Sequence, residues 1–304
     1  MRRLRKYGFV AGFLAFPVAL YSVFVIGPYV QAFQISFTDW NGYRSKLRYI
    51  GFDNFIRLFD DEVFWQALRN HGILLLVLPI VTVVIALFFA FLLNLGGGPR
   101  GAGMRGIWGS KFYRVVFFFP QVLAVAVVGV LFKAVYRPDE GGVVNGALIK
   151  VGFEPVGWLI EPDLALWSVI AVMIWQAVGF YVVLFSAGMA AIPKDYFEAA
   201  ALDGAGRIRL FFSITLPLLR DTVQVGWVYL GIAAFDGFAL ILVLAGNKGE
   251  PDGATTILPV EIWKTAFTYS KVGYASAMGV VLFFLTVTFA VLTLRTTRRE
   301  RIEL

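Results

Sequence analysis

Residues 195–219 read DYFEAAALDGAGRIRLFFSITLPLL. They place Asp195, Glu198, Asp203, Arg207 and Arg209 between two long apolar runs. A plain connector between two membrane spans needs only a few residues, so this stretch asks for another reading. Pro193 suits the first turn of a helix, and Asp195 and Glu198 then fall near its positive end. Glu198-Ala199-Ala200-Ala201 favours helix, and its small side chains let another helix approach closely. Asp203-Gly204 is a turn signal, with Gly204 able to take a left-handed conformation. A second short helix is expected next, with Ile208, Phe211, Phe212 and Ile214 as its apolar set, ended by Leu216-Pro217. The product is a partly apolar helix–turn–helix with a charged rim. The residues alone leave two readings open: a re-entrant or interfacial hairpin without a partner, and an element built to be held by another protein.

The rest of the chain sets the surroundings of this hairpin. Of 304 residues, 59% are hydrophobic and only 15% charged, and the mean hydropathy is +0.75. That balance belongs to a membrane protein. A bilayer core about 30 Å thick takes roughly 20 apolar residues per helix, and runs of that kind occupy residues 8–30, 72–95, 115–136, 164–189, 222–245 and 273–294. The first run follows MRRLRK, a start that a signal peptide would share. It is too long for an h-region and no small-residue cleavage site follows, so it reads as a retained span.

Basic residues set the orientation. Arg2, Arg3, Arg5 and Lys6, then Arg100, Arg105, Lys111 and Arg114, then Lys194, Arg207, Arg209 and Arg220, then Arg295, Arg298, Arg299 and Arg301 fall on one side of the six runs. The other side mixes fewer bases with acids such as Asp60, Asp61, Glu62, Asp139, Glu140, Glu161 and Asp163. Both termini and the 195–219 hairpin therefore face the cytoplasm. The net charge of +7 is a topology signal; nucleic-acid binding would need a concentrated basic face with aromatic or polar readers. The chain has no cysteine, hence no disulfide or thiol chemistry. His71 is its one histidine, which argues against a His-ligated metal. No metal site and no catalytic residue is expected.

In the first outer loop, Phe55, Leu58 and Phe59, then Phe64, Trp65 and Leu68, recur at helical spacing. They predict short amphipathic helices on the membrane surface, with Trp65 at the interface. The inner segment GGGPRGAGMRGIWGS, residues 96–110, lacks the G-K-[ST] ending of a phosphate-binding loop. It reads as a flexible basic linker. Outer segments 136–163 and 246–272 are turn-rich and long enough to contact a partner.

Polar groups inside the apolar runs are the candidates for a solute path. Asp236 lies within the fifth run, where an ionisable group is costly; a role in substrate passage or gating and a paired structural acid both remain open. Trp175, Gln176 and Tyr181 lie midway along the fourth run, Gln121 beside Pro120 in the third, and Tyr229 in the fifth. Aromatic faces with amide and hydroxyl groups suit sugar rings. Each residue taken singly also serves helix packing, so the expectation is a shared polar cavity rather than any one contact.

The series Glu198-Ala199-Ala200, Gly204, Ile214-Thr215-Leu216-Pro217 resembles the EAA loop of the membrane subunits of ABC importers, with the glycine and the I-x-L-P at the family spacing. Other segments agree. SFTDW, GFDNFIRLF and FWQALRN resemble the outer loop of sugar importers, and FYRVVFFFPQV their third span. IWQAVGFYVVLFSAGMAAIPKDYFEAAALDGA resembles the fourth span and coupling loop; FDGFALILVLAG, KTAF and GYASAMGVVLFF resemble the last two spans. The resemblance covers nearly the whole chain and is closest to the first permease of the maltose-type group.

It implies an all-α membrane protein with six transmembrane helices, the type I ABC importer permease fold, multi-pass in a bacterial inner membrane. Residues 1–71 would form the first span and outer loop, 72–294 the permease core with the coupling loop at 193–217, and 295–304 a basic tail. Glu198, Ala199, Ala200, Asp203, Gly204, Ile214, Leu216 and Pro217 would dock on a cytoplasmic ATPase. No cofactor is implied in this chain; ATP and Mg would be bound by that ATPase, present twice. The further partners implied are a second homologous permease, a solute-binding protein, the lipid bilayer and a carbohydrate substrate; no nucleic acid is. Two departures stand out: GNKGEPDG follows the fifth run where the family often has GGGP, and His71 stands where a small hydroxyl residue is common. RRERIEL and DEGGVVNGALIKVG resemble permeases encoded beside N-acetylglucosamine or chitobiose binding proteins, so the implied solute is one of these or another disaccharide such as trehalose.

Two other classes compete. DGAGR, residues 203–207, is similar to the start of the CDP-alcohol phosphotransferase motif, but the further pair of aspartates four apart is missing and Asp221 stands alone. A secondary transporter would carry more spans in repeated halves.

Overall fold

The computed structural model describes residues 2–43, 45–95, 107–246, 249 and 251–296. The chain is helical, and among the described residues β-pairing is confined to one antiparallel bridge between Thr38 and Tyr49. The basic linker expected at 96–110 lies mostly outside the described residues, as does nearly all of the basic tail.

The first run forms α1 (Arg2–Tyr21) and α2 (Gly27–Ser36), joined through a π-helical turn at Ser22–Ile26. Pro28 follows at once, with no N–H to donate and a ring that crowds the preceding turn. The widened turn, closed by the Gly27 N–H on the Ser22 carbonyl, absorbs it. After the short outer helix α3 (Asp53–Phe59) comes α4 (Glu62–Leu95). This helix is longer than the apolar run that announced it. Phe64, Trp65 and Leu68 belong to the first turns of α4 and not to a separate surface helix. The start is fixed at Asp61, whose Oδ1 accepts from the N–H groups of Val63 (2.9 Å) and Phe64 (3.1 Å). That is an N-cap, and no breaker stands between it and the membrane.

The third and fifth runs, expected as single spans, are each broken. The third becomes α5 (Ser110–Val122) and α6 (Val125–Val135), bent by 98°. Leu123 and Ala124 are extended there, just after Pro120 has deleted one helical donor. After the outer helix α7 (Val143–Lys150) come α8 (Pro162–Ala190) and the hairpin helices α9 (Lys194–Leu202), α10 (Arg207–Leu210) and α11 (Leu216–Leu218). The fifth run then becomes α12 (Arg220–Phe235) and α13 (Phe238–Ala245), bent by 47° at Asp236 and Gly237. The chain closes with α14 (Leu258–Trp263) and α15 (Val272–Thr296). Among the described residues, four helices are long and apolar enough to cross a membrane, and the two bent pairs bring the total to six when each pair counts as one span.

The chain forms two compact units, Met1–Trp65 with Glu261–Leu285, and Gln66–Val260 with Thr286–Leu304. In the first, Phe33 packs edge-on to Phe283 and Phe284 at 5.8 Å each. Buried Asn54 donates to the carbonyls of Ser36 and Thr38, both at 2.8 Å, and the Tyr274 hydroxyl donates to Asp61 at 2.5 Å. The second unit is built on α8, where Val169, Val172, Val182, Phe185 and Met189 are fully buried. Its turn-rich outer segment is ordered by Asn145. That side chain donates to the carbonyls of Arg137 and Val156 and accepts from the Val156 and Trp158 N–H groups.

Candidate functional site

Both breaks open onto one cavity of about 540 Å³. Its polar lining is Gln121 from the end of α5, Gln176 and Tyr181 from α8, Tyr229 from α12, and Asp236 from the second break. Leu78, Phe180 and Phe238 supply apolar surface. The structure thus brings together five of the six polar residues expected along the path. The sixth, Trp175, is not in the lining; it packs edge-on against Phe132 of α6, ring centres 5.0 Å apart.

The breaks and the cavity explain each other. Non-helical backbone at membrane depth is tolerated only inside protein or along a wet cavity, because its polar groups have no partner in lipid. At the first break the Gln176 amide donates to the Leu123 carbonyl, 3.4 Å away. With that donor engaged, Gln176 keeps a carbonyl oxygen as its free acceptor. At the second break Asp236 caps the end of α12. Its carboxylate is exposed and, among the described residues, has no hydrogen-bond or ion-pair partner. Two acceptor-bearing groups, two phenols and an apolar wall fit a ring that carries many hydroxyls.

The 193–217 hairpin is anchored and presented at once. Gly204, with φ at +73°, ends α9. The Ala205 N–H reaches the Ala200 carbonyl (2.9 Å) and the Gly204 N–H the Ala201 carbonyl (3.1 Å), the paired bonds of a Schellman ending that glycine serves best. Asp203 is the last residue before that turn. Phe197, Ala200 and Phe211 are buried, and the Phe211 ring lies 4.9 Å from that of Phe91 on α4. Outward stand Leu202 at 90% exposure and Ile208 at 70%, with Phe212 also exposed. Glu198 is half-buried and Ala199 exposed beside them.

The second half of the hairpin differs from its sequence reading in two ways. The set Ile208, Phe211, Phe212 and Ile214 is not one apolar face, since Phe211 is buried while Ile208 and Phe212 point outward. Nor does Leu216-Pro217 end the helix. A π-helical segment at Phe211–Thr215 widens the turn ahead of Pro217, with the Leu216 N–H on the Phe211 carbonyl, and the path runs on through α11 towards α12. This is the device already used ahead of Pro28.

One polar chain escaped sequence reasoning. Arg114 on α5 donates to Asn94 of α4 at 2.7 Å, and Asn94 donates to Ser186 of α8 at 2.9 Å. Its signal was present: an asparagine and a serine inside apolar runs, where such groups act as interhelical glue.

The family described as binding-protein-dependent transport system inner membrane component matches residues 66–301. The chain is 42% identical over 287 residues to the diacetylchitobiose uptake system permease protein NgcF of Streptomyces coelicolor, covering 93% of this chain and 80% of that one. It is 30% identical over 287 residues to the multiple sugar-binding transport system permease protein MsmF of Streptococcus mutans, covering 94% of each. Among solved structures, a chain of a bacterial alginate ABC transporter, crystallised with an alginate pentasaccharide-bound periplasmic protein, superposes with a TM-score of 0.80. The match covers 98% of this chain and 96% of that chain at 22% identity, a likeness of fold.

Proposed function

We propose that this chain, which belongs to the binding-protein-dependent transport system inner membrane component family, is one of two permease subunits of an ATP-driven importer of carbohydrate. The cavity is this subunit's part of the solute path. ATP and Mg are bound by a separate pair of cytoplasmic ATPase subunits that dock on the 193–217 hairpin, and a solute-binding protein delivers the sugar. A diacetylated chitobiose or a similar short saccharide is the solute, in keeping with the named substrate of the relative at 42% identity.

The observation that carries this reading is the connection between hairpin and cavity. Helix α12 begins directly after the hairpin and ends at Asp236 on the cavity wall. Its 16 residues make a rod about 24 Å long at 1.5 Å per residue. Phe197 and Phe211 root the hairpin in the core while Leu202, Ile208 and Phe212 stay exposed for a partner. A displacement of the hairpin by ATPase closure is therefore delivered to the break that shapes the cavity. Co-expression with its permease and ATPase partners, reconstitution with the binding protein, and parallel measurement of ATPase rate and labelled chitobiose uptake test this. Saccharide-dependent stimulation of both is expected. ATP-independent uptake, or none in the full complex across a panel of neutral oligosaccharides, overturns it.

A further inference from the structure

Asn70 and His71 are adjacent on α4, both buried, with His71 at 2% exposure. Their side chains leave the helix in two directions. The Asn70 amide donates to the carbonyls of Ala254 (2.9 Å) and Thr256 (2.8 Å). The Leu258 N–H donates to His71 Nδ1 at 3.3 Å, so Nδ1 must be the unprotonated nitrogen. Nε2 then carries the proton and donates to the Ala234 carbonyl at 3.1 Å. Phe235 covers the imidazole, ring centres 5.2 Å apart.

The Ala234 carbonyl stands at the fifth run's break, two residues before Asp236. In an unbroken helix it would accept from the residue four positions on, Phe238. The turn at Asp236 and Gly237 ends the helix there, and His71 Nε2 donates to that carbonyl. On the other side, residues 255–258 are buried, and three of their neighbouring backbone groups are tied to this one asparagine–histidine pair. A single imidazole that accepts from one segment and donates to another fastens both to the same turn of α4.

Resting on the reading of the cavity as a sugar path, we propose that Asn70 and His71 are positioning residues. They clamp the outer segment 254–258 and the break at Asp236 into one body, so that the segment and the Asp236 wall of the cavity move together when the path opens. Neither touches the solute, since neither lines the cavity. The clamp requires a group with one acceptor and one donor at position 71, and two donors at position 70.

The test compares wild type, His71→Leu, His71→Gln and Asn70→Ala in the reconstituted complex, reading sugar imported per ATP hydrolysed. Loss of two buried hydrogen bonds in His71→Leu is expected to lower that ratio about threefold or more, while His71→Gln, which keeps an acceptor and a donor, restores most of it. A merely structural role would reduce the amount of assembled complex and leave the ratio unchanged, and that result overturns the clamp. Absence of uptake by the wild type would instead strike the functional reading. Hydrogen exchange on the wild-type complex needs no variant: peptides covering 232–240 and 252–259 should gain or lose protection together between nucleotide-free and ATP-bound states. Independent changes contradict the proposal.

Discussion

Gly179 on α8 lies against the carbonyl oxygen of Phe117 on α5, with no space for a Cβ between them. Two helix backbones touch there, as small residues allow within membranes, and the contact holds α5 against α8 just below the first break. Gly179→Ala would drive a methyl group into a backbone that cannot give, and overpacking of this kind costs about 1–3 kcal/mol. The expected result is a lowered melting temperature for the purified complex. Gly279→Ala is the control, since among the described residues nothing lies within 4 Å of an added Cβ there, and it should melt as wild type does. Equal melting of both variants would remove the contact from the account.

Among the described residues that line the cavity, Asp236 is the one with an acidic or basic side chain. If it accepts hydrogen bonds from a passing sugar, Asp236→Asn replaces a charged acceptor by a neutral one. Hydrogen bonds to charged groups are worth about 1.5–3 kcal/mol, so uptake should fall by about 10-fold or more while the complex still assembles. The same carboxylate should disfavour acidic saccharides, and Asp236→Asn should narrow the gap between neutral and uronate competitors. Unchanged kinetics and unchanged competition would reduce Asp236 to a helix cap.

Arg114, Asn94 and Ser186 tie three helices together through side chains. Asn94→Leu removes the middle of this chain and leaves the Arg114 guanidinium facing an apolar group. Destabilisation of about 1–3 kcal/mol is expected, seen as faster loss of the folded complex in denaturing detergent, with Ser186→Ala milder because it leaves the Arg114–Asn94 bond in place. Equal behaviour of Asn94→Leu and wild type would show that the network is not holding the helices.

The orientation can be read with cysteine labels, since the chain has no cysteine of its own. Val151 and Trp108 are both exposed, and the charge pattern places them on opposite sides. In intact cells an impermeant maleimide should modify Val151→Cys and spare Trp108→Cys until the membrane is opened. The reverse pattern would invert the topology and put the hairpin outside.

The six apolar runs were legible because run length is a one-dimensional signal. The breaks inside two of them were not read from that signal, although Asp236-Gly237 repeats the turn pair of Asp203-Gly204. At Leu123-Ala124 neither residue is a helix breaker, and the turn is stabilised by Gln176, which lies 53 positions away in sequence. Glu62 opens α4 ten residues before the apolar run because its cap, Asp61, is a local polar contact that hydropathy does not register. The cavity residues were found by their polarity in apolar surroundings, and the same rule brought in Trp175. Trp175 and Gln176 are neighbours about 100° apart on a helix, and Trp175 turns to Phe132 while Gln176 lines the cavity. In the hairpin, the spacing of Glu198, Gly204 and Ile214 to Pro217 was visible in the chain. Which of its apolar residues point inward was not, because the π-helical turn at Phe211–Thr215 shifts the register.

The most direct test of the account is made at Gly204. Its φ of +73° leaves it in the left-handed region, and among the described residues nothing lies within 4 Å of an added Cβ. Val there must strain the backbone by about 1–3 kcal/mol without any clash inside the subunit, whereas Asn tolerates that conformation. Glu198→Lys reverses a charge on the same hairpin, at a half-buried position. The measurement is paired, co-purification of the ATPase and sugar imported per ATP in proteoliposomes, on Gly204→Val, Gly204→Asn and Glu198→Lys. The account predicts loss of ATPase association or of coupling in Gly204→Val and Glu198→Lys, with Gly204→Asn close to wild type and the spans inserted in all three. Wild-type association and wild-type coupling in both Gly204→Val and Glu198→Lys would contradict it.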